Sequence, residues 1–366
     1  MSNHLNHRFE PIDALRGIAA LFVVWQHTSE TFVKHIGVAE QGTFLADLTR
    51  DFDFGRIGII CFFLISGFVI PSSLKINDTS GIKNFAIRRF FRLYPAYWVS
   101  ILMVIMVDYY LNNPLNAVTI VANTTMLQGL FQQPHMIGLY WTLQVELIFY
   151  FICALLFYFN KLRNDKLIFI LILIFFGIFV LLQTMSFITG TPVSLHKEIQ
   201  LLPYLLSIMF LGSFYRQIYD NKSKSIHNKM LNRFTLISTL LCLGLPVFLL
   251  ITNLIGLEFV NDSFRFGTGH SLGFVLFFVG LLMFKKVPKT LLWLGAISYS
   301  LYLFHPLVMK LMFHYIYNAK ILIGYHLSFY MIVSTILSIL LAFIIYALIE
   351  KPAIKKGHSL TKRIQN

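Results

Sequence analysis

Acidic side chains are scarce in this chain, 16 Asp and Glu in 366 residues against 30 Lys and Arg, and charged residues of both signs make up only 13%. A soluble domain carries roughly a quarter, so a fold with a fully solvated surface is excluded. Cysteine is scarcer still. Cys61, Cys153 and Cys242 all fall in apolar runs with no CxxC spacing, which points away from a disulfide framework or a zinc site and toward buried thiols. The first apolar segment lacks the basic n-region, short h-region and small-residue cleavage site of a secretory signal, so it is expected to be retained. No repeat, low-complexity tract or soluble appendage interrupts the pattern.

What the chain has is hydrocarbon. Hydrophobic residues are 57%, and the mean hydropathy is +0.71. Apolar runs of about 20 residues, long enough to cross roughly 30 Å of bilayer core, recur along the whole length. They lie near 12–32, 54–73, 94–112, 140–160, 167–188, 199–216, 234–255, 266–284, 291–313 and 327–349. The pattern predicts an all-α polytopic membrane protein of about ten transmembrane helices, forming a single domain over 1–366, with room for a re-entrant element in 113–139. With the N-terminus inside, 22 of the 30 Lys and Arg fall in cytoplasmic segments and 7 in outside loops and span ends, while Arg16 lies within the first span. Basic residues in short loops favour the cytoplasmic side, so both termini are expected there. The same bias accounts for the net charge of +14 through orientation and anionic headgroups, with no nucleic acid implied.

Four constellations carry chemistry. In IDALRGIAALFVVWQHTSE, Arg16 and His27 are eleven residues apart. Eleven steps of 100° return to within about 20° of the same helix face and rise about 16 Å, and Asp13 stands one turn before Arg16, able to neutralise it. Snorkelling at a membrane edge is the competing reading for each; the shared face favours an enclosed site. In YWTLQVELIFY, Thr142, Glu146 and Tyr150 recur every four residues as a polar stripe. A buried acid in a span more often marks a relay or a site than a structural carboxyl. The topology puts Glu146 and His27 toward the outer half, where a carboxylate beside an imidazole would raise its basicity and fix its tautomer. In AISYSLYLFHP, Ser298, Tyr302 and His305 share one face and Pro306 frees a carbonyl, so His305 is either a site-lining group or a neutral histidine bonded to a neighbouring helix. In FAIRRFFRLYPAYW, Arg88, Arg89 and Arg92 stand just before the third span. They either anchor the chain at the cytoplasmic face or bind phosphate through guanidinium forks.

Together with CFFLISGFVIPSSL in the second span, these motifs resemble the acyltransferase family 3 integral membrane proteins, which include O-acetyltransferases of bacterial polysaccharides. The likeness runs over essentially the whole chain, in the same order. It implies transfer of an acyl group, commonly acetyl, from cytoplasmic acyl-CoA such as acetyl-CoA to a hydroxyl of a carbohydrate at or beyond the outer face of a bacterial inner membrane. It implies that Arg16 and His27 are essential, that Arg89 and Arg92 are the RxxR pair proposed to engage the donor, and that Glu146 is the glutamate following the WxL segment. Two departures stand out. Many relatives have an acid before the paired phenylalanines of the second span, where GIICFF places Ile60. Many also carry a fused extracytoplasmic hydrolase-like domain, which is not expected after EKPAIKK, so the membrane domain acts alone or with a separate extracytoplasmic transferase.

The residues support the same chemistry. An attacking alcohol must lose its proton, and a positioned imidazole contributes typically 10²–10⁴-fold. His27 is the candidate base, oriented by Glu146. Arg16, Ser298, Tyr302 and the backbone near Ser66 and Gly67 are candidate oxyanion donors, with Ser66 and Trp141 lining the site. Donor phosphates are expected at Arg88, Arg89 and Arg92, with the pantetheine arm threading inward and no metal required. The rival is a proton-coupled transporter or flippase, since intramembrane His, Glu and Arg also build relays. Against it, no paired Gly/Pro-broken helices stand in matching halves.

Overall fold

The computed structural model describes residues 9–33, 39–40, 43–74, 81–189, 197–223, 228–257, 262–284 and 286–365. Arg8, Lys34, Lys75, Lys224 and Lys285, five of the basic residues used to orient the chain, lie outside them. The described helices are α1 (Glu10–Val33), α2 (Thr43–Asp51), α3 (Phe54–Ser73), α4 (Gly81–Tyr110), α5 (Ala117–Thr124), α6 (Tyr140–Tyr158) and α7 (Asp165–Thr189), followed by α8 (Lys197–Ser223), α9 (Lys229–Leu254), α10 (Ser263–Met283), α11 (Lys289–Ala319), α12 (Leu327–Ile345) and α13 (Lys351–Gln365). Two dipeptide strands, β1 (Ala39–Glu40) and β2 (Tyr325–His326), pair in parallel. A long helix thus lies over every expected span, and eight helices among the described residues are long and apolar enough to cross a membrane. The chain is an all-α polytopic membrane protein. In 113–139 the structure places α5 and a 3-10 turn over Gln128–Phe131.

The chain divides into two compact units, one made of α1, α2, the start of α3, α10, α11 and most of α12, the other of the rest of α3, α4 to α9 and α13. In the first unit the sequence removes side chains where backbones must meet. A Cβ on Gly295 would come within 2.0 Å of the Asp13 carbonyl oxygen, and one on Gly17 within 2.9 Å of the Gly295 nitrogen. Small residues let α1 and α11 pack backbone to backbone, the usual device where lipid offers no hydrophobic gain. These contacts and the ring contact of His27 with His305 advance in the same direction along both helices, so α1 and α11 run parallel. Gly58 against Ala19 and Gly55 against Gln26 run α3 antiparallel to α1. Ile60 is buried and fills the space over Gly273 of α10, which gives the residue in place of the relatives' acid an apolar packing role.

The second unit is built around α8, where Tyr204, Ser207, Met209, Phe210 and Phe214 are all fully buried. Gly67 lies against the Met209 carbonyl and Gly212 against that of Leu64, bringing α3 and α8 together. Tyr204 donates to the Cys242 carbonyl at 2.7 Å, and Ser207 to that of Ile172 at 3.3 Å. All three cysteines are buried free thiols, as their apolar settings imply. Tyr140 of α6 meets Ser100 of α4 at 2.7 Å, and Tyr97 donates to the Asn123 carbonyl at 2.7 Å.

One helix boundary corrects the sequence reading. The third span was expected to begin at 94, with the arginines just before it, whereas α4 is a single helix from Gly81 through Pro95 to Tyr110. Asn84 and Phe85 before the arginines and Leu93, Ala96, Tyr97 and Ser100 after them are buried, and the helix runs unbroken between them. The arginines therefore project from inside a helix about 45 Å long.

The glycine contacts predict selective sensitivity. Gly295→Ala should lower the thermal midpoint of the purified protein by several degrees, because the new methyl meets backbone that cannot yield. Gly177→Ala, with nothing within 4 Å, should match or exceed wild type. Thermal-shift size-exclusion chromatography measures both.

Candidate active site

The second unit holds a polar cluster built around one carboxylate. Glu146 lies six residues into α6, about 9 Å from its start. Its Oε1 accepts from the Tyr150 hydroxyl at 2.5 Å and from Ser66 Oγ at 3.1 Å. The Arg89 guanidinium sits 5.3 Å from the Tyr150 ring centre and 5.4 Å from that of Phe85, feels the charge of Glu146, and donates from Nη2 to Ser73 Oγ at 3.3 Å. Two O–H donors and a cation compensate the carboxylate, and two aromatic faces compensate the cation. Arg89 thus belongs to the Glu146 cluster and to the interior of the unit. Thr142 does not join it, because its hydroxyl donates to the Leu139 carbonyl, and the expected stripe reduces to Glu146 and Tyr150. Trp141 packs 6.3 Å from Phe63 and lines a small cleft with Gly129, His135 and Gln144.

Cations gather on the same unit. The Nε atoms of Arg88 and Arg89 are buried without a hydrogen-bond partner. Helix α13 packs against α4, with Gly357 seated on Phe91 and the Lys356 ammonium 5.8 Å from the Phe91 ring centre. His358 of α13 then lies within electrostatic reach of Arg88, Arg89, Arg92 and Lys362. Guanidinium N–H groups left without acceptors in a basic cluster fit an anionic ligand such as phosphate. By contrast, Arg216 is neutralised by Asp220, both carboxylate oxygens lying 2.9 Å from its Nε.

The first unit holds His27 and His305. His27 and Arg16 are partly buried on α1. The His27 ring lies 5.6 Å from that of fully buried His305 on α11, and Tyr302 packs against His305 at 6.3 Å and against Phe62 at 6.0 Å. The Ser298 hydroxyl donates to the Gly295 carbonyl of its own helix at 2.9 Å.

Sequence reasoning missed two groups. Near the C-terminal end of α1, Glu30 accepts from Gln26 at 2.8 Å and pairs with Arg265 at 3.2 Å, while Asp53 pairs with Arg56 at 3.4 Å and lies 3.8 Å from Arg265. Gln26 and Glu30 are an i,i+4 pair visible in the sequence, but their partner is 235 residues away. The basic residues of α13 were counted only as orienting charge, since nothing local to EKPAIKK shows that this helix returns to α4.

Among the described residues, no group of three or more His, Cys, Asp or Glu is arranged to hold a metal. A family profile described as "Acyltransferase domain" matches residues 10–347. The chain belongs to acyltransferase family 3. It is a membrane enzyme that transfers acyl groups other than aminoacyl groups, in a family that uses acyl-CoA donors. A protein of Acidianus two-tailed virus, provisionally named an acetyltransferase, is 24% identical over 317 residues, covering 84% of this chain and 86% of its own length. No solved structure matches the chain.

The Glu146 cluster should behave as a unit in stability. Tyr150→Phe and Glu146→Gln are each expected to lower the thermal midpoint, and the double variant should be no worse than the worse single one, a coupling of about 1–3 kcal/mol. Equal additive losses in a thermal double-mutant cycle would show that the two groups act separately.

Proposed function

We propose that this family 3 acyltransferase moves an acyl group, acetyl first among them, from cytoplasmic acyl-CoA to a hydroxyl of a cell-surface or lipid-linked carbohydrate. The observation that carries the donor half is the basic cluster of α4 and α13, with buried guanidinium donors that lack acceptors. Its chemistry fits the phosphates of coenzyme A, with Arg88, Arg89 and Arg92 as main contacts and His358 and Lys362 as additional ones. Glu146, through Tyr150 and its charge, holds Arg89 in place. The viral relative's name supports acetyl as the group transferred.

His27 is the base in this reading. It takes the proton of the attacking hydroxyl as the oxygen bonds to the thioester carbon; the C–S bond then breaks, and the coenzyme A thiolate leaves with that proton. Arg16, Ser298, Tyr302 and the backbone amides near Ser66 and Gly67 are the candidate donors to the developing oxyanion. The arrangement requires donor and acceptor on opposite sides of a bacterial inner membrane, with ten spans and both termini cytoplasmic. The parallel run of α1 and α11 supports this count, because a first and a ninth span must point the same way.

The test is thiol release by purified protein in lipid nanodiscs, followed with acetyl-CoA in the presence and absence of glycan acceptor. Release should require both substrates and vanish in His27→Ala. Arg89→Ala should raise the KM for acetyl-CoA by about 10–100-fold, the loss of a charge-assisted bond to phosphate. Lys362→Ala, at a more exposed position, should raise it less. Substrate movement across the bilayer without thiol release would instead identify a transporter.

A further inference from the structure

His305 on α11 has one ring nitrogen used and one unused. It is fully buried. Its Nδ1 lies 3.0 Å from the Leu301 carbonyl oxygen. Pro306 has no N–H to give the Tyr302 carbonyl one turn back along the helix. A carbonyl only accepts, so Nδ1 carries the ring proton and Nε2 presents a lone pair. That Nε2 is buried and has no hydrogen-bond partner. A buried acceptor left unsatisfied is unusual enough in a folded protein to call for a functional explanation. The His27 ring lies beside that of His305, with ring centres 5.6 Å apart and planes tilted by 40°. The register is not accidental, because the contact of Gly17 with Gly295 fixes α1 against α11 about ten residues earlier on each helix.

We propose that His305 is a positioning residue for acyl transfer, its Nε2 accepting an N–H from the ring nitrogen of His27 that does not face the substrate hydroxyl. The inference rests on His27 being the base. During the step the substrate O–H bond breaks and its proton passes to one nitrogen of His27, the oxygen bonds to the thioester carbon, and the C–S bond breaks. The proton then leaves His27 with the coenzyme A sulfur as a thiol. Throughout, the other nitrogen of His27 keeps its hydrogen and donates it to His305, which stays neutral and exchanges no proton. An acceptor at that place fixes which His27 nitrogen is basic and stabilises the imidazolium that forms, and a neutral acceptor does so without a second charge in the span.

Two near-isosteric variants separate this role from packing. His305→Gln places an amide oxygen near the position of Nε2, whereas His305→Asn reaches only as far as Nδ1. In nanodiscs with acetyl-CoA and glycan acceptor, His305→Asn should lower kcat about 100-fold, within the range for a positioned acid–base group. His305→Gln should stay within about 10-fold of wild type. Both should keep the KM for acetyl-CoA and the wild-type thermal midpoint. Equal wild-type rates for Asn and Gln, with His27→Ala inactive, would overturn the role of His305 and leave His27 as base. Equal loss in both folded variants would show that an acceptor at Nε2 is not what the site needs. An active His27→Ala beside an inactive His305→Asn would overturn the assignment of the base itself.

Discussion

The constraint on which this structure depends is the cost of a polar group that finds no partner in hydrocarbon. Water cannot satisfy it there, so each intramembrane carboxylate, guanidinium, imidazole or hydroxyl must be matched by the protein or by what the protein binds. Much of the architecture follows from how the matching is done. Ser298 and Thr142 donate to carbonyls three residues back in their own segments. Glu146 takes the hydroxyls of Tyr150 and Ser66, and Arg216 takes Asp220. Among the buried polar atoms left unmatched are the Nε atoms of Arg88 and Arg89 in one unit and the Nε2 of His305 in the other. The first kind of vacancy fits an anion; the second fits an N–H.

Close backbone packing places those groups. The Gly17–Gly295 contact sets α1 against α11 and brings two imidazoles together, while Gly67 and Gly212 seat α3 on α8 in the unit that carries Ser66 and Glu146. A side chain at any of these positions would move a helix and the polar groups carried on it. The chain therefore invests its small residues where alignment matters and leaves its lipid-facing helices, such as α7, almost purely apolar.

The sequence made the spans legible because their signal is local, about twenty apolar residues at a time. It also exposed Arg16, His27, Glu146, His305 and the arginines of α4, since a charge in an apolar run is visible without any fold. Pairings were not legible. Tyr150 is one turn from Glu146 and could be read from helical spacing, but Ser66 is 80 residues away. The link between Glu30 and Arg265, and the return of α13 to α4, depend on tertiary packing that no window of sequence contains. The third span was expected from 94, where the long apolar run begins, whereas the helix that carries it starts at Gly81 and includes the arginines.

The central claim is esterification of a carbohydrate hydroxyl, and the most direct measurement is mass spectrometry of ester-linked acyl groups on surface and lipid-linked glycans. Cells lacking the protein would be compared with cells complemented by wild type or by His27→Ala at equal membrane expression. The account predicts an ester that disappears in the deletion, returns with wild type alone, and whose mass names the acyl group. An identical ester profile in all three strains, with the protein present in the complemented membranes, would contradict it.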